Sequence, residues 1–341
     1  MKEQIQLSGI GTCLPSKRME ISDFRTLWSK EGIESELQEK GVTLMKELGR
    51  DTQYFFDPER DDYYQMGIEA TQEALRNAGV QRDEIDAIVF LSDTPEHTYP
   101  TNVILLMEKL KGFRRDVYSF DMNSNCTGML TAIDVMSRMM KSHPTFKHVL
   151  LVSVVVASTI VSNKDVFSKG LFSDGASAVV LSKVVVDEEV GFIDGVFRTK
   201  PENASDFRYP AIGMSQIHQE KTIPLEKTKL QFKPGDVSFF SEMWSEMTFE
   251  VLERNGLVVS DLACCFFSQF AKPQGDETMM KIGLPSEKTL YIGGTYGYTG
   301  INSPIFALKE AKQTGLIEKG DLVLLASVGA GINMSAILIR I

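Results

Sequence analysis

The stretch Glu73-Ala-Leu-Arg-Asn-Ala-Gly79 has a counterpart later in the chain, Glu250-Val-Leu-Glu-Arg-Asn-Gly256. Both copies end a helical pattern at a glycine, which is the usual helix stop. Each is followed by a short polar link that contains aspartate and then by a β-rich run, at residues 87–90 and 264–267. The two copies align without a gap, so the chain contains an internal repeat.

The order of elements after this repeat is the same in both halves. The first half continues with a predicted strand at 117–120, a helix from about Cys126 to 141, and strands at 148–153 and 176–181. The second half continues with a predicted strand at 289–292, a helix at 303–313, and strands at 321–326 and 334–339. This alternation predicts an α/β fold of βαβ units with mostly parallel sheets. The strands are continuously apolar, which indicates sheets covered by helices on both faces.

The repeat divides the chain into two predicted halves, residues 1–184 and 185–341, joined by a charged link near 184–189. Residues 200–236 are rich in polar residues, proline and glycine, and we interpret them as an insertion loop rather than a core element. Residues 21–60 are charged and mixed, and we predict that they are helical and lie outside the repeat.

Composition narrows the function. The chain has 341 residues, a formal net charge of -10 and a pI of about 5.1, which argues against a nucleic-acid ligand because phosphates require Lys and Arg. No signal peptide is visible, and the most apolar stretch, 148–157, is too short to span a bilayer. We therefore expect a soluble cytoplasmic protein. The four cysteines have no zinc-binding spacing, and no glycine-rich nucleotide loop occurs, so we expect neither a metal nor a tightly bound cofactor.

The segment Asn123-Ser-Asn-Cys126-Thr-Gly-Met129 carries the predicted chemistry. A strand is expected to end near Met122 and a helix to begin at about Cys126, at the sheet edge where α/β proteins bind ligands. A thiol at a helix N-terminus meets free N–H groups and the positive end of the helix dipole, which favour the reactive thiolate. Cys126 is therefore a candidate nucleophile. The alternative is an unreactive buried cysteine at a strand–helix turn.

Three motifs carry a resemblance to a known family. They are Ser119-Phe-Asp-Met-Asn-Ser-Asn-Cys126-Thr-Gly128, Phe172-Ser-Asp-Gly-Ala-Ser-Ala-Val-Val-Leu181 and Lys319-Gly-Asp-Leu-Val-Leu-Leu-Ala-Ser-Val-Gly-Ala-Gly331. Over nearly its whole length, the chain resembles the ketoacyl-ACP synthase III family of thiolase-fold condensing enzymes. The resemblance implies a thiolase fold with layered αβαβα halves and an acyl group carried on Cys126. It also implies an oxyanion hole formed by the backbone N–H groups of Cys126 and Ala330.

The sequence departs from the family at two catalytic positions. The family pairs its cysteine with a histidine and an asparagine, and these positions hold Ser268 and Tyr298 here, in Ser268-Gln-Phe-Ala271 and Tyr296-Gly-Tyr-Thr-Gly-Ile301. Both replacements can donate O–H hydrogen bonds, but neither is a cation or a good base near neutral pH. Acyl transfer through Cys126 is therefore less affected than decarboxylative condensation.

Further site residues follow from the resemblance. It places the loop holding His97 and Tyr99 at a dimer interface, where Tyr99 would close the partner's acyl pocket; Gln269 is a second acyl-pocket candidate. His97 is a possible surrogate base. Thr43 and Glu47 replace residues that grip coenzyme A in the family, which favours a carrier-protein donor. The acyl group would arrive on the phosphopantetheine of an acyl carrier protein or on coenzyme A.

Three functions remain open on the sequence. The first is an acyltransferase of fatty-acid-like or secondary-metabolite biosynthesis that works through acyl-Cys126. The second is 3-oxoacyl-ACP synthase III-type decarboxylative condensation with altered donors, namely Ser268, Gln269 or Tyr298. The third is a non-catalytic subunit of a heterodimeric condensing enzyme. The resemblance implies a homodimer, and a heterodimer is the alternative.

Overall fold

A computed structural model describes residues 1–219, 222–233, 235–270 and 272–341. The strands are β1 (Lys2–Cys13), β2 (Lys17–Glu20), β3 (Thr52–Phe55), β4 (Ala87–Leu91), β5 (Tyr118–Met122), β6 (His148–Val155), β7 (Gly175–Val186), β8 (Gly191–Thr199), β9 (Phe207–Arg208), β10 (Gln231–Phe232), β11 (Leu262–Phe266), β12 (Leu322–Gly329) and β13 (Asn333–Arg340). The helices are α1 (Ile21–Lys30), α2 (Ser35–Glu47), α3 (Tyr63–Ala78), α4 (Asn102–Leu110), α5 (Gly128–Ser142), α6 (Ala157–Ile160), α7 (Val166–Lys169), α8 (Met214–Ile217), α9 (Phe239–Arg254), α10 (Lys272–Ile282), α11 (Gly293–Tyr296) and α12 (Ser303–Gln313).

Two sheets organise the chain. The first has the strand order β1-β7-β6-β4-β5, and the second has the order β11-β12-β13-β8. The division between them falls after β7, which ends at Val186, so the predicted boundary at 184/185 lies within the last residues of that strand. The repeated stretches occupy equivalent places: α3 ends at Gly79, which has a φ of 67°, and α9 is followed by Gly256, which has a φ of 66°.

The sheets are mixed, which corrects the expectation of mostly parallel strands. Strand β4 pairs in parallel with β5 and β6, and β11 pairs in parallel with β12, but β1, β7, β8 and β13 pair with their neighbours antiparallel. Only residues 330–332 join β12 to β13, and a parallel pair needs a crossover of roughly a dozen residues or more. The short link therefore forces the antiparallel arrangement.

Five layers stack in the order α-β-α-β-α. Helices α5 and α12 lie between the sheets, in a core that Ile133 of α5 and Ile305 of α12 share with Val89 of the first sheet and Val323 of the second. Helices α3 and α4 cover the outer face of the first sheet, and α9 and α10 cover that of the second. Both sheets are therefore covered on two faces, as their continuously apolar strands predict.

The predicted strand at 289–292 is absent, and a side chain explains why. The Gln269 amide donates to the Leu290 carbonyl (3.3 Å) and accepts from the Ile292 N–H (2.7 Å), while the Tyr291 hydroxyl donates to Leu48 (2.5 Å). The two Gln269 bonds satisfy backbone groups that a neighbouring strand would otherwise pair, and the Tyr291 bond ties the segment to Leu48. The segment consequently runs as an irregular connection into α11.

The two regions outside the repeat both contribute residues to one cavity. Residues 21–60 form α1, α2 and β3, with β3 pairing β2. The insertion at 200–236 contains the short pair β9–β10 and α8, and its residues 220, 221 and 234 lie outside the described residues. In the described part of the chain, no helix combines the length and the apolar composition needed to cross a bilayer.

Candidate active site

The loop after β5 presents Cys126. Residues Asn125–Thr127 form one 3₁₀ turn, and α5 begins two residues after the cysteine, at Gly128 rather than at Cys126 itself. Asn125 has a φ of 48°, a left-handed conformation that is uncommon outside glycine and occurs at constrained functional sites. Its N–H donates to the Asn123 side-chain oxygen (2.8 Å), and Ser327 donates to the Cys126 carbonyl (3.0 Å). The second half of the chain thus holds the nucleophile loop of the first.

A single amide from β13 fixes the same loop. The Asn333 side-chain N–H₂ donates to the Ser124 carbonyl (3.1 Å), the Ser124 hydroxyl (3.0 Å) and the Thr127 hydroxyl (2.8 Å). On the opposite side, Gly300 has a φ of 57°, and a Cβ added there would lie 3.9 Å from the Cys126 sulfur. The left-handed backbone at Gly300 therefore brings the chain close to the thiol at a conformation that a side chain would strain.

The electrostatics of the Cys126 thiol differ from the sequence-based expectation. Burial, followed by the negative charge of Asp93, raises the pKa of the thiol to about 12, although hydrogen bonds from Tyr298 and two backbone N–H groups oppose the rise. Desolvation therefore outweighs the helix N-terminus, and the expected depressed pKa was wrong. Cys126 is a neutral thiol in the free site.

Tyr298 lines the cavity beside Cys126. Burial, followed by the influence of the Cys126 side chain, raises the pKa of the Tyr298 phenol well above its usual value. Ser268 lies behind it and donates to the Tyr298 hydroxyl (3.4 Å). The backbone carbonyl of Tyr298 accepts from the Ser173 N–H (2.8 Å), which ties the tyrosine to the Phe172-Ser-Asp-Gly motif. The structure thus brings Cys126, Tyr298 and Ser268 together, with Ser268 bonded to Tyr298 and Tyr298 lowering the pKa of Cys126.

The two residues predicted to supply the oxyanion hole line the same cavity, and the backbone N–H groups of Cys126 and Ala330 both lower the pKa of the Cys126 thiol. Positive φ values fall on Gly331 (76°) and Ile332 (61°), and Ala330 is not among the residues with this geometry. An alanine is therefore accommodated at position 330 without left-handed strain.

A cavity of about 340 Å³ opens from this point. Cys126, Tyr298 and Ala330 line its floor, and its walls are mainly apolar. Leu44 and Leu48 contribute from the end of α2, and Phe207 and Phe232 contribute from the insertion. Such a cavity suits an apolar chain anchored at the sulfur.

An aromatic series extends from Tyr298 to the insertion. The ring of Phe172 lies 6.1 Å from that of Tyr298 and 6.1 Å from that of Phe207, and Phe207 lies 4.6 Å from Phe232. The insertion is therefore a wall of the cavity and not a peripheral loop, which the sequence did not predict.

Four predicted site residues do not line this cavity: Ser268, which lies behind Tyr298, and the three described next. Gln269 is buried, and its amide bonds the backbone of 267, 290 and 292 instead of facing the cavity. His97 lies on an exposed loop, where its N–H donates to Asn102 (3.2 Å). Tyr99 is 91% exposed on the same loop. Within this chain, neither acyl-pocket candidate touches the cavity, and His97 is not placed as its base.

Asp93 is the titratable group that the sequence reasoning missed. It follows β4, lines the cavity together with Thr94 and Cys126, and has a carboxyl oxygen, Oδ1, that is buried without a hydrogen-bond partner among the described residues. Burial raises its pKa to about 6. The sequence could have pointed to Asp93 because it lies two residues after the end of β4, and α/β proteins bind ligands beyond the carboxyl ends of their strands.

Three cations that the sequence offers as possible phosphopantetheine or carrier contacts, Lys169, Lys272 and Arg114, all have partners within the chain, and Lys272 pairs with Asp276 (2.5 Å). The Lys169 ammonium donates to the Ser158 carbonyl (2.8 Å), and burial lowers its pKa to about 8. Arg114 pairs with Asp86 (2.6 Å). Thr43 and Glu47 are exposed on α2, next to the cavity residues Leu44 and Leu48. Among the described side chains, no cluster of His, Cys, Asp and Glu has the arrangement of a metal site.

Solved structures identify the class of fold. A 3-oxoacyl-[acyl-carrier-protein] synthase III from Aquifex aeolicus superposes with a TM-score of 0.84 at 23% identity, over 99% of this chain and all of the other. The priming β-ketosynthase of the R1128 polyketide biosynthetic pathway gives 0.85 at 20% identity, over 99% and 96%. The five-layer arrangement is the thiolase fold.

Sequence comparison then gives the family. The model of 3-oxoacyl-[acyl-carrier-protein] synthase III matches residues 120–201, and that of its C-terminal region matches residues 252–341, together about half of the chain. A β-ketoacyl-[acyl-carrier-protein] synthase III of Koribacter versatilis is 29% identical over 277 residues, 81% of this chain and 82% of the relative. One of Coxiella burnetii is 24% identical over 98% and 99%. The chain belongs to the 3-oxoacyl-[acyl-carrier-protein] synthase III family of acyltransferases.

Proposed function

We propose that this protein is an acyltransferase that carries an acyl group as a thioester on Cys126 and passes it to an acceptor. The observation that supports this most directly is the polar surroundings of one thiol in an apolar cavity. Cys126, Tyr298 and Ala330 line that cavity together, and the Tyr298 hydroxyl and the backbone N–H groups of Cys126 and Ala330 lower the pKa of the thiol against its burial. A cysteine kept only for packing would not require polar donors around its sulfur.

The acylation step balances without an external base or cofactor. The Cys126 sulfur attacks the donor thioester carbonyl, a new C–S bond forms, the donor C–S bond breaks, and the cysteine proton ends on the departing thiol. The N–H groups of Cys126 and Ala330 stabilise the carbonyl oxygen as it gains negative charge. Tyr298 donates to sulfur while it carries negative charge, which offsets part of the raised thiol pKa.

The acyl donor is proposed to be an acyl carrier protein or acyl-coenzyme A, and no tightly bound cofactor is needed for the transfer. The names of the relatives specify acyl-carrier-protein synthases. The cavity lining includes two positively charged residues, Arg208 and Lys233, and two negatively charged residues, Asp206 and Asp236. We favour the carrier-bound donor because Glu47 is exposed beside the cavity residue Leu48, where it would repel a nucleotide phosphate.

A homodimer completes the proposal. Tyr99 is almost fully exposed for an aromatic residue, and β5 pairs with β4 on one side in the first sheet, as its edge strand. Light scattering of the purified chain tests this assembly. A dimeric mass is expected; a stable monomer, or a mass reached only with a second polypeptide, would contradict the homodimer.

The experiment that tests the acyl-cysteine is intact-protein mass after incubation with acyl-coenzyme A and acyl-carrier thioesters of graded length. We expect the native protein to gain the mass of the acyl group and Cys126→Ala to show no gain. Cys13→Ala is the matched control, because Cys13 is also partly exposed and its pKa is likewise raised to about 12, yet it does not line the cavity. No gain with any donor would favour the non-catalytic subunit instead. Carbon dioxide release from malonyl-carrier would favour condensation.

A further inference from the structure

Asp93 occupies a fixed place in the cavity wall. On one side, the Ser92 hydroxyl donates to the Val154 carbonyl (2.7 Å). On the other side, the Thr94 hydroxyl accepts from the Val156 N–H (2.9 Å). Because both neighbours of Asp93 are bonded to β6 and to the residue that follows it, its side chain is held against the cavity.

The carboxylate of Asp93 lacks the partners that usually accompany burial. Its Oδ1 has no hydrogen-bond partner, and no ion pair to Asp93 occurs within the described residues. Its own backbone N–H offsets only part of the burial penalty. An ionised, unpartnered carboxylate facing a cavity is costly for folding and is a strong acceptor for any donor that enters.

The charge of Asp93 acts on the reacting atoms. Asp93 lines the same cavity as Cys126 and Tyr298, and its charge raises the pKa of both groups. A second anion, such as a malonyl carboxylate, would be repelled there. A neutral O–H or N–H group beside the acyl-sulfur would instead meet an acceptor for its proton.

We propose that Asp93 is the general base of the transfer half-reaction, and that the acceptor is an alcohol or an amine rather than a malonyl thioester. The inference rests on the proposed acyl-Cys126. As the acceptor's oxygen or nitrogen forms its bond to the acyl carbon, its proton passes to the Asp93 carboxylate and the carbon–sulfur bond breaks. The Cys126 thiolate then takes a proton from Asp93, so the free site is restored.

The test separates the two half-reactions. Acyl-Cys126 is prepared with an excess of donor, freed of the donor, and its loss is followed by intact mass in water, ethanol and ethylamine, and separately in hydroxylamine. Hydroxylamine is unprotonated at neutral pH and requires no base. In Asp93→Asn, discharge by the first three is expected to fall at least about 100-fold, as for loss of a general base, and discharge by hydroxylamine to stay within a few-fold.

Alkylation of Cys126 by iodoacetamide provides a second measurement of opposite sign. Removal of the Asp93 charge lowers the thiol pKa, so Asp93→Asn is expected to react faster with iodoacetamide while it transfers acyl groups more slowly. A merely structural role would move both rates in one direction. Asp93→Glu, which keeps the carboxylate, is expected to regain part of the transfer rate, and Glu246→Gln on the exposed face of α9 is the matched control.

The outcomes separate the inference from the proposed function. Native protein that never forms acyl-Cys126 would refute the proposed function and the inference together. Native protein that is acylated, with equal transfer rates in native and Asp93→Asn, would overturn the inference alone. Three other results would also overturn it. The first is an equal loss of discharge by all four nucleophiles in Asp93→Asn, and the second is failure of water, ethanol and ethylamine to discharge the native acyl-protein. The third is discharge by malonyl-coenzyme A with release of carbon dioxide.

Discussion

Replacement of Asp93 by asparagine is expected to stabilise the fold at alkaline pH although it impairs transfer. Burial raises the Asp93 pKa from 3.8 to about 6. Each unit of pKa is about 1.4 kcal/mol, so the ionised carboxylate costs up to roughly 3 kcal/mol of unfolding free energy at pH 8. Because the folded pKa is the higher one, this cost is absent below the unfolded pKa. The cost accumulates as the pH rises from the unfolded pKa, about 4, to the folded pKa, about 6, and is fully present above the folded pKa.

The pH dependence isolates the charge from other effects of the substitution. An asparagine amide needs partners of its own, but that contribution does not change with pH. The difference in unfolding free energy between Asp93→Asn and native protein should therefore grow by about 2 kcal/mol from pH 4.5 to pH 8. Cys126, Tyr298 and Tyr63, whose pKa values the charge of Asp93 raises, do not titrate in this window because their pKa values are far above it.

Urea unfolding at the two pH values measures this quantity. Glu246→Gln controls for loss of an exposed carboxylate and should show almost no pH-dependent difference. If Asp93→Asn lowered the unfolding free energy more at pH 8 than at pH 4.5, the native carboxylate would have to be well satisfied. The unpartnered-base reasoning would then be refuted.

Three further substitutions test the site. Tyr298→Phe removes the hydroxyl donor to the Cys126 sulfur and should slow single-turnover acylation about 10- to 100-fold; an unchanged rate would contradict its role. Phe232→Ala enlarges the cavity wall and should favour longer acyl donors by roughly fourfold per buried methylene in competition assays, whereas an unaltered length profile would place the chain elsewhere. Asp174→Asn should lower the unfolding free energy in urea by roughly 1–3 kcal/mol, since Asp174 accepts from the N–H groups of Ser158 (2.8 Å) and Phe56 (2.7 Å); a gain in stability would contradict this account.

Local patterns sufficed for most of the fold. The helix at 303–313 and the strands at 148–153 and 334–339 were predicted within a few residues, because their apolar residues follow a clear helical or continuous pattern. The prediction of a strand at 289–292 was wrong because the Gln269 side chain, from about 20 residues earlier in the chain, makes the hydrogen bonds to the backbone of Leu290 and Ile292 that a neighbouring strand would make. A propensity pattern cannot show which distant side chain replaces a strand.

The site was only partly predictable for the same physical reason. Cys126, Tyr298 and Ala330 were found because each follows a strand or lies in a recognisable motif. The Cys126 pKa was predicted with the wrong sign, because the helix N-terminus is visible in the sequence whereas desolvation depends on tertiary packing. The cavity walls from α2 and the insertion also depend on tertiary packing, since residues 44 and 232 line one cavity only in the folded chain.

Loss of the family's histidine and asparagine need not mean loss of chemistry. Transfer of an acyl group to a protic acceptor requires a nucleophile, donors for the oxyanion and a place for one proton. Cys126, the N–H groups of Cys126 and Ala330, and Asp93 can supply these in turn, with Tyr298 as donor to sulfur. A malonyl condensation would bring a second carboxylate into the cavity that Asp93 lines, where the negative charge of Asp93 would repel it. The same substitution pattern that weakens condensation therefore leaves a site whose charge suits an alcohol or an amine.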